Sequence, residues 1–125
     1  MHKIINSSNA PSPIGPYSQA TLAGNTLYVS GQIPLDPKTG NLIEGTIEEE
    51  TEMVMKNLAA ILTEAGAGFN NVVKCSIFVK DISDFGKINE TYGKYFQQNP
   101  PARETVEVSR LPKDVRVEIS CIAIV

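Results

Sequence analysis

Two ionisable residues stand where a packed strand would ordinarily place aliphatic ones. Arg103 opens the run Arg103-Glu104-Thr105-Val106-Glu107-Val108, directly after Pro100-Pro101-Ala102. Glu118 lies within Val115-Arg116-Val117-Glu118-Ile119, ahead of the apolar end Ser120-Cys121-Ile122-Ala123-Ile124-Val125. A carboxylate in so apolar a strand has a cationic or hydrogen-bonding partner, or it has a chemical task. The bland alternatives are a surface salt bridge from Arg103 to Glu104 or Glu107, and a structural ion pair from Glu118, for instance to Arg116. The turn residues Leu111-Pro112-Lys113-Asp114 predict that the two strands form a hairpin. Such a hairpin does not set Arg103 directly opposite Glu118, so the two would converge diagonally or across subunits.

Three other places could contribute to a pocket. Residues 7–16 hold three prolines and Gly15, which makes an irregular, stiff connection. It delivers Tyr17, either as a pocket wall or as a cap on the core edge. Ser30-Gly31 at a strand end, with Pro34 three residues on, suggests backbone left open to a ligand. Asn89 falls beside an apolar helical stripe, as a satisfied core amide or as a ligand contact.

The bulk properties exclude several function classes. The chain has 125 residues, of which 42% are hydrophobic and 20% charged, with a net charge of −3. That is one domain with one core, spanning 1–125. No stretch is apolar enough for a transmembrane helix, and the N-terminal segment lacks the apolar region of a secretory signal. The eleven basic residues are scattered and form no stripe, which argues against nucleic acid as the partner. Cys75 and Cys121 both lie in apolar runs and read as small buried hydrophobes in a reducing, cytoplasmic compartment. With His2 as the one histidine and no CxxC, nothing in the sequence reads as a zinc or haem site.

These residues must be positioned by a small set of elements. Short strands are expected at 3–6, 18–22 and 26–30, the last two a hairpin around Ala23-Gly24-Asn25. Thr46-Ile47-Glu48-Glu49 fits a capping box, and the apolar spacing from Ile47 to Ala65 predicts a core-packing helix ended by Gly66. Residues 72–80 read as a central strand, and 81–98 as a second helix with Phe85, Ile88, Tyr92 and Phe96 on one face. Gly86 and Gly93 weaken that helix by about 1 kcal/mol each, which suggests close approach by another chain or element. The Ala65-Gly66-Ala67-Gly68 run follows a helix and lacks a phosphate-loop ending, so it terminates a helix and binds no phosphate. Alternation puts Arg103, Thr105 and Glu107 on one face of their strand. The last strand is apolar on both faces beyond Glu118, and two helices cannot cover both, which points to an oligomer.

The set Ile14-Gly15-Pro16-Tyr17-Ser18, Val29-Ser30-Gly31-Gln32-Ile33-Pro34, Val79-Lys80-Asp81-Ile82, Ile88-Asn89-Glu90-Thr91-Tyr92, Pro101-Ala102-Arg103 and Arg110-Leu111-Pro112 through Val117-Glu118-Ile119 resembles the YjgF/RidA family of enamine/imine deaminases. The match runs in order along essentially the whole chain. The resemblance implies an α+β domain, similar to chorismate-mutase-like folds. A mixed sheet would carry two helices on one face, in a homotrimer with the other face inside and clefts between subunits. It implies hydrolysis of 2-aminoacrylate and related imines to 2-oxo acids and ammonia without metal or cofactor, with no nucleic-acid or membrane partner. By position, Arg103 would hold the substrate carboxylate and Glu118 would manage the attacking water. Tyr17, Ser30, Gly31 and Asn89 would line the pocket. Where the family often has cysteine, this chain has Thr105, which offers only a hydroxyl contact. A trimer that binds 2-oxo acids without turning them over is the competing reading.

Overall fold

The computed structural model describes residues 1–125 and contains one six-stranded mixed sheet with two helices on one face. The strands are β1 (Lys3–Ile5), β2 (Ala20–Ala23), β3 (Thr26–Gln32), β4 (Val72–Val79), β5 (Ala102–Glu107) and β6 (Val117–Ile124). The helices are α1 (Ile47–Glu64) and α2 (Phe85–Gly93). The spatial order is β1-β2-β3-β6-β4-β5. Only β4 and β5 run parallel, as a connection through a helix requires. The β2–β3 hairpin closes on Gly24-Asn25, with Ala23 paired to Thr26 and Gly24 at φ 61°.

The expected α1 is present with its capping box: the Thr46 hydroxyl accepts from the Glu49 amide, and the Glu49 carboxylate accepts from the Thr46 amide. At its end Gly66 takes a φ of 75°. There the amides of Gly66 and Ala67 reach back to the carbonyls of Thr63 and Leu62, closing the helix. The second helix is shorter than the expected 81–98. Residues 82–84 form a 3-10 turn, and α2 stops at Gly93. Amides 94–96 then bond three residues back, so the chain tightens into turns while Phe96 still reaches the core. No atom of another element lies within 4 Å of where a Cβ would stand on Gly86 or Gly93, so neither marks a close approach within the chain.

Side-chain alternation divides the sheet cleanly. Leu27, Val29, Cys75, Ile77, Val79, Val117, Ile119, Cys121 and Ala123 are buried against the α1 face made by Val54, Met55, Leu58, Ile61 and Leu62, and against Ile88, Tyr92 and Phe96. Both cysteines are buried free thiols, directly opposite one another on β4 and β6. The opposite sheet face carries Ile4, Tyr28, Val106 and Ile124, all exposed, with half-buried Phe78 and Ile122. No helix of the chain covers that face.

The hairpin expected between the Arg103 and Glu118 strands does not form. β4 lies between them, paired to β5 on one side and β6 on the other. The nine residues 108–116 are long enough to cross the end of β4 before β6 turns back along it. A turn signal at Pro112–Asp114 therefore marks a corner of that crossing and not the tip of a hairpin. Lys113 and Asp114 take positive φ there, 55° and 57°.

Candidate functional site

Arg103 sits at the start of the edge strand, half-buried, opposite Cys75. That register puts it on the helix-covered face. One guanidinium nitrogen donates to Asn89 Oδ1 at 2.6 Å. The guanidinium carbon lies 5.1 Å from the Tyr92 ring centre and 5.5 Å from that of Phe85. Phe85, Asn89 and Tyr92 are i, i+4 and i+7 on α2, so one helix face supplies the whole cradle. The acids nearest in sequence are engaged elsewhere: Glu104 pairs with Lys74 and Glu107 accepts from the Ile82 amide. A surface salt bridge from Arg103 to either is thereby ruled out. Its charge is held by an amide and two rings, leaving most of its five N–H donors free for an external oxyanion.

Two buried hydroxyls beside Arg103 lack hydrogen-bond partners, those of Tyr92 and Thr105. Burial raises the Tyr92 phenol above its ordinary value, and the adjacent Cys75 thiol adds to the effect. Burial likewise pushes the Cys75 thiol up, against the opposing pull of Tyr92 and Arg103. It takes the Cys121 thiol to about 12. Neither thiol is a nucleophile at neutral pH.

Glu118 belongs to the other face. It is paired with Phe78 near the end of β4 and is half-buried. Burial alone raises its carboxyl above the usual carboxylate range. The three ion pairs of the chain join Lys74 to Glu104, Lys80 to Asp114 and Arg116 to Glu50. Glu118 is in none of them, and the alternative of a structural ion pair to Arg116 does not hold, because Arg116 pairs with Glu50. The carboxyl lies instead against Gly31: a Cβ on that glycine would stand 2.7 Å from Glu118 Oε2. The room a side chain at position 31 would take is occupied by the carboxylate.

Ser30 and Tyr17 complete this second group. The Ser30 hydroxyl donates to the Ser18 carbonyl at 2.6 Å, and its amide to the Gln19 carbonyl at 2.9 Å, tying β3 to the segment that carries Tyr17. Buried Gln19, not anticipated from sequence, anchors the loop before it: its side chain bonds Ser7 and the carbonyls of Ala10 and Pro11. The Tyr17 hydroxyl accepts from the Ile14 amide at 3.2 Å, and the ring, 51% exposed, stands over shallow hollows shared with Ser30 and Gly31.

The candidate residues thus form two half-sites. Arg103, Asn89 and Thr105 gather under α2, and Tyr17, Ser30, Gly31 and Glu118 gather on the uncovered face. Arg103 and Glu118 are two strand spacings apart and offset by three residues along β4, a Cα separation of about 14 Å, with the sheet between their side chains. Diagonal convergence within one chain is excluded. Phe85, Tyr92 and Gln19 were the site residues missed. Only the i, i+4, i+7 spacing with Asn89 signalled the first two, and nothing local signalled Gln19.

The chain resembles known proteins both in sequence and in fold. Residues 7–125 match the family model described as Endoribonuclease L-PSP. The chain is 54% identical over 123 residues to a RutC family protein of Pyrococcus horikoshii, covering 98% of each. It is 50% identical to the 2-iminobutanoate/2-iminopropanoate deaminase of Rattus norvegicus, across 99% of this chain and 90% of that protein. A putative endoribonuclease of Thermotoga maritima superposes with a TM-score of 0.98 at 47% identity, covering 100% of this chain and 98% of that one. E. coli TdcF with bound serine superposes at 0.94 and 39% identity, covering 98% of each chain.

Proposed function

Because the chain belongs to the Endoribonuclease L-PSP family, that of the YjgF/Rid proteins, we propose that it is an enamine/imine deaminase, hydrolysing 2-aminoacrylate and related 2-imino acids to 2-oxo acids and ammonia. The observation that carries the reading is that the chain holds both a guanidinium oriented by Asn89 and outside any ion pair, and a half-buried carboxylate that has no cation of its own. Arg103 binds the substrate carboxylate with its forked N–H groups while Asn89 and the Phe85 and Tyr92 rings fix its plane. Glu118 takes a proton from the water that attacks C2 and returns it to the departing nitrogen. A carboxyl raised by burial suits that double duty, since both protonation states become accessible nearer neutral pH. Tyr17, Ser30 and Gly31 wall the pocket, and Thr105 lies beside the bound carboxylate with a hydroxyl to offer.

Since one chain keeps the two half-sites on opposite faces of its sheet, the complete site forms where Arg103 of one copy meets Glu118 of a second. The uncovered apolar face, with Tyr28, Val106 and Ile124 exposed, supports a homotrimer in which that face turns inward. The buried free thiols suit a cytoplasmic setting. The test generates 2-iminopropanoate enzymatically from serine and follows its decay with wild type and Glu118→Gln. Acceleration by wild type and loss in the variant is the expected result. Binding of 2-oxo acids with no acceleration would leave a metabolite-binding trimer and overturn the enzyme.

A further inference from the structure

Gly31 is not required by its backbone. Its φ lies outside the left-handed region, unlike those of Gly15, Gly24, Gly40 and Gly66, so an alanine would be conformationally acceptable there. The reason for a glycine is the neighbouring strand. A Cβ at Gly31 would meet Oε2, Cδ and Cγ of Glu118 at 2.7, 2.8 and 3.0 Å. The strand is built to create this approach. From Val29 to Gln32, β3 advances three residues, while its partners on β6 step two, from Cys121 to Ile119. The extra residue is a bulge. It turns Gln32 inward, where it is buried, and leaves position 31 facing the carboxylate. Gln32 then donates its side-chain amide to the Ser30 carbonyl at 3.2 Å, closing the bulge on itself.

We infer that Gly31 is a positioning residue for Glu118: the missing Cβ, presented by the bulge, is the seat in which the carboxylate lies. The seat sets both where the carboxylate points and how far it is withdrawn from water. Filling it forces a retreat of about 0.7 Å, from 2.7 Å to the 3.4 Å at which ordinary contact begins. The carboxylate is the end of a flexible side chain, so the retreat costs it its place while leaving the strands paired. The effect on catalysis rests on the deaminase reading; the seat itself does not.

The test is a stability cycle in urea on Gly31→Ala, Glu118→Ala and the double variant, with Glu118 titrated by 13C NMR of its side-chain carboxyl. At acid pH, where the carboxyl is protonated, Gly31→Ala is expected to lower the unfolding midpoint when Glu118 is present and to hold or raise it when Glu118 is truncated. It should also move the Glu118 titration back toward that of an ordinary glutamate. If the midpoint falls equally in both backgrounds, or the titration does not move, the seat is refuted. On imine hydrolysis, Gly31→Ala should lower kcat about 100-fold, the scale of a 1 Å misplacement, with KM little changed. Wild type inactive on imines while the cycle shows coupling would overturn the deaminase and sustain the seat. An active enzyme without coupling would do the reverse.

Discussion

Replacing Arg103 by lysine keeps the positive charge and removes the fork. In the structure one guanidinium nitrogen is committed to Asn89 at 2.6 Å, and the plane lies within 5.5 Å of two ring centres. An ammonium at that position would be drawn to Asn89 Oδ1 and could offer a substrate carboxylate one bond where the guanidinium offers two. The loss is one charge-assisted hydrogen bond, about 1.5–3 kcal/mol, plus stacking worth about 0.5–1 kcal/mol at a half-exposed site. Together these amount to about 2–4 kcal/mol, or about 30- to 1,000-fold in kcat/KM. The assay is decay of enzymatically generated 2-iminopropanoate at limiting substrate, with the thermal melt of Arg103→Lys recorded alongside. A variant that melts like wild type and keeps kcat/KM within about threefold would refute the claim that Arg103 grips the carboxylate through two N–H groups.

Glu118→Gln should abolish turnover yet stabilise the fold. A carboxyl held above its ordinary value by burial stabilises the folded state only while protonated, so stability falls as pH rises through the folded-state value. Urea melts from acid to neutral pH should show that decline in wild type and not in the variant. Thr105→Val removes a buried hydroxyl that has no partner, so stability should hold or rise by about 1 kcal/mol. A rise in KM for the imine would show that the substrate uses that hydroxyl. Ile122→Asp places a charge on the uncovered face, and light scattering should report a smaller particle with activity lost in step. An active monomer would remove the shared site. Thr46→Ala removes the hydroxyl that accepts from the Glu49 amide, while the backbone amide of residue 46 can still donate to the Glu49 carboxylate, and should cost about 1 kcal/mol in a chemical melt, leaving kcat unchanged.

Much of this protein was determined by local signals that no distant contact had to decide. The capping box at Thr46, the apolar stripe of α1 and the Gly66 stop depend on residues within four positions of one another, and all are present as expected. Alternation alone placed Arg103 and Thr105 on one face, because a strand's period of two is independent of its neighbours. The order and spacing of motifs from Tyr17 to Glu118 carried the family. Strand order was another matter. Turn residues at 111–114 look the same whether they close a hairpin or a corner, and only the pairing of β4 with both β5 and β6 decided between them. That choice moved Arg103 and Glu118 from neighbouring strands to opposite faces of the sheet. The length of α2 also lay beyond local reach, since residues 94–96 tighten into turns while Phe96 packs on Tyr92 and Phe69. The cradle around Arg103 and the space at Gly31 are contacts between residues 11 to 87 positions apart. Sequence named the chemical groups; the sheet decided which of them can face one another, because pairing across strands is a property of the whole chain.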